Sequence, residues 1–217
     1  MSAKILQLLY KEFLLEWRNK YAINGIIVYI LATVFTAFLC VKKLDDRTWN
    51  AVFWIILLFI IINAVSKSFL HEKAERHYLF IQQSHPTHFL ISKLLYNICL
   101  TWLLSGITFL VYILLMPIDI DQYIFTIIAL ILGSGGLSSI FTFVAAIASR
   151  ANNSHTLMTI LSLPIVLPLV LLLSRISLSA FTDIQLATLV GDIIALVAIM
   201  ILVFVLSVIL FPYLWRD

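Results

Sequence analysis

The chain has 217 residues, of which 63% are hydrophobic and only 12% are charged, and its formal net charge is +3. A soluble domain carries about 25% charged residues, so this composition excludes a water-exposed globule and predicts a protein whose surface mostly faces lipid. With so modest a net charge, no nucleic-acid partner is expected.

Residues 3–20 are predicted to form an amphipathic helix that lies in the headgroup plane of the bilayer. The apolar residues of this segment fall on one helical face, namely Leu6, Leu9, Tyr10, Phe13 and Trp17. Its polar residues repeat at heptad-like spacing on the opposite face, namely Lys4, Gln7, Lys11 and Arg18. Interfacial helices have this pattern. The alternative is that the segment extends the first membrane span.

Six hydrophobic runs follow, and a membrane-crossing helix needs about 20 apolar residues. The runs cover residues 21–41, 50–70, 89–116, 123–148, 156–174 and 187–212. The loops between them are too short to fold alone. We therefore predict an all-α integral membrane protein, in which residues 1–217 form a single transmembrane domain with six transmembrane helices.

The distribution of lysine and arginine predicts the orientation of these spans. With the N-terminus inside, ten of the 14 basic residues lie on the cytoplasmic side, namely Lys4, Lys11, Arg18, Lys20, Lys67, Lys73, Arg76, Lys93, Arg150 and Arg216. The other side holds Lys42, Lys43, Arg47 and Arg175. This excess follows the positive-inside rule. A multi-pass protein of the bacterial inner (cytoplasmic) membrane with both termini in the cytoplasm is predicted.

The two cysteines are predicted to be unpaired. Cys40 ends the first predicted span, whereas Cys99 lies about ten residues into the third, roughly 15 Å along the helix. A disulfide requires Cα atoms within about 7 Å of each other. Both cysteines are therefore expected to be small buried apolar residues.

No catalytic, cofactor-binding or metal-binding residue is assigned. His71 and His77 are six positions apart, whereas a zinc-protease helix needs histidines four positions apart. All five histidines fall in predicted cytoplasmic loops, namely His71, His77, His85, His88 and His155. The run Gly133-Ser134-Gly135-Gly136 lies within a span, far from any base, and is predicted to let helices approach closely. The protein is therefore not expected to be an enzyme.

The loop at residues 71–88 is the most informative polar stretch. Its charged part contains Glu72, Glu75 and Arg76, and an apolar patch with Tyr78, Leu79 and Phe80 follows. An exposed apolar patch of this kind packs against something else. Lipid headgroups are one candidate and the groove of a soluble partner is the other.

Two prolines, Pro164 and Pro168, stand four positions apart in the fifth predicted span, so they share one helix face. Each proline removes a backbone donor and promotes a kink. A helix that bends around a transport pathway and ordinary kinked packing both fit this pattern.

The whole chain resembles a known family. An amphipathic N-terminal helix with Lys11-Glu12-Phe13 and Arg18 precedes six spans, and the charged loop after span two leads to Pro86 and then Lys93. A fourth span rich in small residues is followed by Leu163-Pro164-Ile165-Val166-Leu167-Pro168-Leu169. Together these features look like the CcmB family, the membrane subunit of the haem exporter of cytochrome c maturation and an ABC-2-type permease.

The resemblance implies a permease subunit that couples ATP hydrolysis by a cytoplasmic partner to haem handling on the outer face. The implied partners are a CcmA-like ABC ATPase subunit, a CcmC-like haem-handling membrane subunit, the lipid bilayer and a second copy of this chain. No cofactor is expected on this chain, because haem would be cargo and ATP would be bound by the partner. The alternatives are an ABC-2-type permease for a lipid, polysaccharide or drug, and a membrane scaffold that moves nothing.

Overall fold

The computed structural model describes residues 6, 8–10, 13–14, 20–41, 45–70, 86–148, 154–181 and 186–214. Within these ranges the regular structure is helical and contains no β-strand. The long helices are α1 (Lys20–Cys40), α2 (Asp46–Leu70), α3 (Pro86–Leu115), α4 (Tyr123–Ala148), α5 (Ser154–Leu178) and α6 (Leu186–Leu214), and a 3-10 turn (Ser179–Phe181) follows α5. The predicted all-α class is confirmed.

Five of the described helices, α2 to α6, are long and apolar enough to cross a membrane. The apolar part of α1 is shorter and covers Asn24–Cys40. At 1.5 Å per residue this part is about 25 Å long, whereas the hydrocarbon core of a bilayer is about 30 Å thick. That α1 crosses the membrane stays a prediction, and so does the count of six spans, which depends on it.

Helix α4 forms the centre of the bundle and packs against α2, α3, α5 and α6. Every residue from 133 to 146 is buried, so this part of α4 has no lipid-facing side. The small residues allow this packing, because a Cβ atom on Gly136 would lie 3.1 Å from Leu169 Cδ1 and 3.2 Å from Met200 Cγ. The predicted close helix approach at the Gly-Ser-Gly-Gly run is confirmed, and it is the packing mode of small residues in membrane helices.

Helix α2 begins at Asp46, four residues before the predicted span, and Asp45 caps its N-terminus. The Asp45 carboxylate accepts a hydrogen bond from the Thr48 hydroxyl, which lowers the pKa of Asp45 below its usual value, and the Thr48 backbone N–H acts in the same direction. This geometry is the N-cap arrangement favoured by aspartate. The cap draws Trp49, which lies in the predicted loop at residues 42–49, into the first helical turn.

Helix α5 extends to Leu178, beyond the predicted span end at residue 174, and continues as the 3-10 turn. The Gln122 N–H donates to the Ala180 carbonyl at 3.0 Å, which ties the turn to the segment before α4. Ala180 and Ile176 are fully buried. Burial of this segment explains why it is helical although it lies in the predicted polar loop.

The described residues of the N-terminal segment are helical at positions 6, 8–10 and 13–14. The side chains of Leu6 and Tyr10 are 71% and 68% exposed. The Phe13 ring packs edge-on against Tyr96 of α3, with ring centroids 5.3 Å apart. Trp17 lies outside the described residues, and the position of this helix in the headgroup plane stays a prediction.

The predicted burial of the cysteines is wrong, although both thiols are free as expected: Cys40 and Cys99 are exposed on the surface of the helices. Lipid is itself an apolar solvent, so an apolar residue in a membrane helix gains little from facing the protein interior.

Candidate functional site

The six residues proposed for docking of the ATPase lie in the segment 71–85, which falls outside the described residues. They are Glu72, Glu75, Arg76, Tyr78, Leu79 and Phe80. What the structure describes is the helix that leads into this segment, because α2 ends at Leu70. The function of these six residues stays a prediction.

The two prolines lie inside α5, which is an α-helix from Ser154 to Leu178. Pro164 and Pro168 are both exposed, and the opposite face of α5 buries Val166 and Leu169 against the bundle. The prolines therefore lie on the outer surface of this chain, and the backbone donors that they remove are lost on that side. Their action as a conformational element stays a prediction.

At the end of the bundle where α2 begins, four aromatic residues form a compact group that we call the Trp49 cluster: Trp49, Phe53, Tyr112 and Phe181. The Trp49 indole N–H donates to the Met116 carbonyl at 2.9 Å, and the Tyr112 hydroxyl donates to the Trp49 carbonyl at 2.9 Å. The ring of Trp49 stacks on Phe53 and meets Phe181 edge-on. The cluster thereby fixes the start of α2 to the end of α3 and to the 3-10 turn.

Next to the Trp49 cluster, a buried polar network joins α2 to α5. The Asn50 amide donates to the Ser174 carbonyl at 2.8 Å. The Ser177 hydroxyl donates to Asn50 Oδ1 and accepts the Trp54 indole N–H at 2.7 Å. We call these residues the Asn50–Ser177 network. Hydrogen bonds between buried side chains hold membrane helices together where lipid cannot satisfy polar atoms.

The Asn50–Ser177 network extends to the central helix through Trp54, whose ring lies directly against Gly133 of α4. Trp54 is 1% exposed. Three helices, α2, α4 and α5, therefore meet at one indole ring. A close-packed contact of this kind has low compressibility and transmits strain between the elements that it joins.

The described residues contain no cluster of side chains for a metal ion. None of them form a group of three histidine, cysteine, aspartate or glutamate side chains that could hold a metal ion. Trp49 is 2% exposed, and its indole N–H is already paired with Met116. Its ring is therefore a packing element of the bundle and is not available for stacking on a ligand.

A comparison with protein-family models matches residues 3–213 of the chain to the family described as CcmB protein. The chain belongs to the CcmB family. The search of curated proteins returned no match. Because the match covers nearly the whole chain, it spans the N-terminal segment, the loop at residues 71–88 and the six helices except the last residue of α6. The predicted resemblance is confirmed.

Membership in the CcmB family identifies the chain as a multi-pass membrane protein that functions in transport, in the haem-export branch of cytochrome c biogenesis. CcmB proteins are transporter subunits rather than enzymes, and they are components of an ABC transporter complex with other Ccm subunits. The five apolar helices agree with that assignment.

The residues that join the helices in this CcmB-family chain were missed by sequence reasoning. Asn50, Trp54 and Ser177 carry no motif, and each lies in or beside an apolar run. The sequence signal that could have identified Asn50 and Ser177 is a polar side chain in or beside an apolar run. Asn50 begins a predicted span, and Ser174 and Ser177 stand three positions apart, on one face of a helix.

Proposed function

We propose that this chain is the permease subunit of an ABC transporter that couples ATP hydrolysis by a cytoplasmic partner subunit to haem handling on the outer face of the bacterial inner membrane. The observation that supports it most is the family match over residues 3–213. The partner subunits would be a CcmA-like ATPase and a CcmC-like haem-handling protein, and both termini of this chain would lie in the cytoplasm.

Helix α2 is the element that would carry a conformational change across the membrane. It has 25 residues and is therefore about 37 Å long. One end, at Leu70, leads directly into the candidate docking loop, and the other end carries Asn50 of the Asn50–Ser177 network. Displacement of the loop by a nucleotide-dependent partner would move α2 as a rod and would reach α5 through Ser177 and Trp54.

Helix α5 would then be the responding element. It is tied to α2 at its Ser177 end, whereas Pro164 and Pro168 interrupt its hydrogen-bond ladder in the middle of the helix. A helix with a weakened middle bends more easily than an uninterrupted helix. This arrangement supports a role for the two prolines as the point at which α5 changes shape.

The test of the proposed function is deletion of this chain from its native host. Loss of c-type cytochromes is expected, with haem synthesis and b-type cytochromes intact, because haem is made inside and attached to cytochrome c outside. Haem-stained gels and pyridine haemochrome spectra measure both classes, and re-expression of the wild-type chain is the control. A deletion strain with normal c-type cytochromes would rule out this function.

A different cargo is the alternative that the same strain would reveal. A lipid or polysaccharide defect with intact c-type cytochromes would indicate an ABC-2-type permease for that cargo. Stimulation of a co-purified ATPase by this chain would separate both permease functions from a scaffold that moves nothing.

A further inference from the structure

The interface between α3 and α4 contains a continuous series of buried polar side chains, which we call the polar seam. On α3 they repeat every three or four residues, and every one is fully buried: Asn97, Thr101, Ser105 and Thr108. On α4 the fully buried polar residues are Ser134, Ser138 and Thr142. Side chains at such spacing share one helix face. The polar seam therefore runs along the contact of two membrane helices.

Most hydroxyl groups of the polar seam are satisfied by carbonyls of their own helix. Such bonds run from Thr101 to Ile98, from Ser105 to Trp102, from Thr108 to Leu104 and from Ser134 to Leu130. Two atoms of the polar seam are different: Asn97 Oδ1 and Ser138 Oγ are buried and have no hydrogen-bond partner among the described residues. Buried polar atoms of native proteins are paired with protein or with ordered water.

The two unpartnered atoms lie in the same section of the seam. The Asn97 amide donates to Thr142 Oγ1 at 2.9 Å, and the Thr101 hydroxyl lies 3.4 Å from the Ser134 carbonyl. Ser138 is one helical turn from both Thr142 and Ser134, just as Asn97 is one turn from Thr101. Ser138 is therefore between these two contacts, Asn97–Thr142 and Thr101–Ser134.

Rearrangement of the side chains does not remove the need for a partner. If the Asn97 amide is turned over, its oxygen accepts the Thr142 hydroxyl, but its NH₂ group then occupies the unpartnered position. Rotation of Ser138 towards its own helix would let it donate to the Ser134 carbonyl, as Ser139 donates to the Gly135 carbonyl, but Asn97 Oδ1 would still lack a donor. A small partner that both donates and accepts hydrogen bonds satisfies both atoms.

We propose that a single water molecule is bound in the polar seam between Asn97 and Ser138. It donates one hydrogen bond to Asn97 Oδ1 and pairs with the Ser138 hydroxyl. Buried waters in proteins make two to four hydrogen bonds, and the Thr142 hydroxyl in the same section offers a further partner. The water joins α3 to α4 at a level where Asn97–Thr142 is the direct side-chain link.

The first test is a density map of the full chain in lipid nanodiscs, with whatever subunits co-purify with it, at a resolution that shows ordered water. A water peak within about 3.2 Å of both Asn97 Oδ1 and Ser138 Oγ is expected. Absence of the peak, or a direct bond between the two side chains, overturns the proposal. This test requires no variant and does not depend on the cargo, so its result is independent of the proposed function.

The second test asks whether the substitution Ser138→Ala lowers or raises the Tm of the chain in nanodiscs. If water bridges the two residues, Ser138→Ala leaves Asn97 without a partner and lowers Tm in nanodiscs by about 2–4 °C. If neither a water nor a direct bond joins the two residues, the same substitution removes an unpaired hydroxyl and leaves Tm unchanged or raises it, which overturns the proposal; the density map distinguishes a water from a direct bond. In an Asn97→Leu background the effect of Ser138→Ala is expected to vanish. Ser139→Ala is the matched control, because the Ser139 hydroxyl is satisfied by the Gly135 carbonyl at 2.8 Å.

Discussion

A Cβ atom placed on Gly133 would lie 2.6 Å from Cη2 of Trp54, so the indole of Trp54 occupies the space that any other residue at position 133 would need. The same added atom would lie 3.0 Å from Leu173 Cδ1 of α5. The ring has little freedom to retreat, because its N–H is bonded to Ser177. Glycine at this position therefore sets the distance between α2 and α4.

The first prediction is that Gly133→Ala destabilises the chain by about 1–3 kcal/mol, the usual effect of overpacking a filled interior. Thermal unfolding in nanodiscs measures the change. Gly106→Ala is the matched control, because a Cβ atom there meets nothing within 4 Å. Adding Trp54→Phe to Gly133→Ala is expected to restore part of the loss, since the smaller ring leaves room. Equal stability of the Gly133 and Gly106 variants would contradict the contact.

The second prediction concerns the Asn50–Ser177 network. Ser177→Ala removes the acceptor of the Trp54 N–H and the donor to Asn50, and buried groups left unpaired cost about 1–3 kcal/mol. Ser207→Ala provides the control, because the buried Ser207 hydroxyl bonds the Val203 carbonyl of its own helix and, among the described residues, nothing else. We expect the Ser177 variant to unfold at a lower temperature than the Ser207 variant. The reverse order would show that the network does not hold α2 to α5.

The third prediction is the topology of six spans with both termini inside. Because Cys40 and Cys99 are exposed, both are first replaced by alanine. Single cysteines at Asp45, Asp119 and Asp183 are then expected to react with a membrane-impermeant reagent in intact cells. Cysteines at Ser84 and Asn152 are expected to react only after permeabilisation, and their labelling from outside would overturn the orientation.

The fourth prediction is that Pro164→Ala combined with Pro168→Ala impairs maturation of c-type cytochromes without lowering the amount of protein in the membrane. Both prolines are exposed, so the substitutions leave no cavity, and alanine restores two backbone donors to α5. Leu167→Ala is the control, because Leu167 is 59% exposed on the same helix and carries a normal backbone N–H. Full maturation in the double variant would exclude the prolines as the bending point.

The fifth prediction is that Leu79→Ala combined with Phe80→Ala releases the ATPase subunit from membranes while this chain stays inserted. Apolar anchors of an interface often contribute about 2 kcal/mol or more, whereas charges at its rim contribute little. Co-purification of the ATPase with the tagged chain is the measurement. Glu72→Gln serves as the rim control and is expected to retain the partner. Retention by the double variant as well would mean that the docking site lies elsewhere.

Part of the fold followed directly from the sequence. Hydrophobic run length predicted the five helices that are long and apolar enough to cross a membrane, because a bilayer imposes one apolar length on every spanning helix. The Gly-Ser-Gly-Gly run predicted close packing at α4, because only small residues let helix backbones meet. The family resemblance also followed from the sequence, through the order of its segments along the chain.

Only the tertiary structure decided which residues hold the helices together. Run length does not distinguish the side of a helix that faces protein from the side that faces lipid, because both are apolar. This is why the exposure of Cys40 and Cys99 differed from expectation. The link between Asn50 and Ser177 joins residues 127 positions apart, and no local pattern in the sequence specifies a contact over that separation.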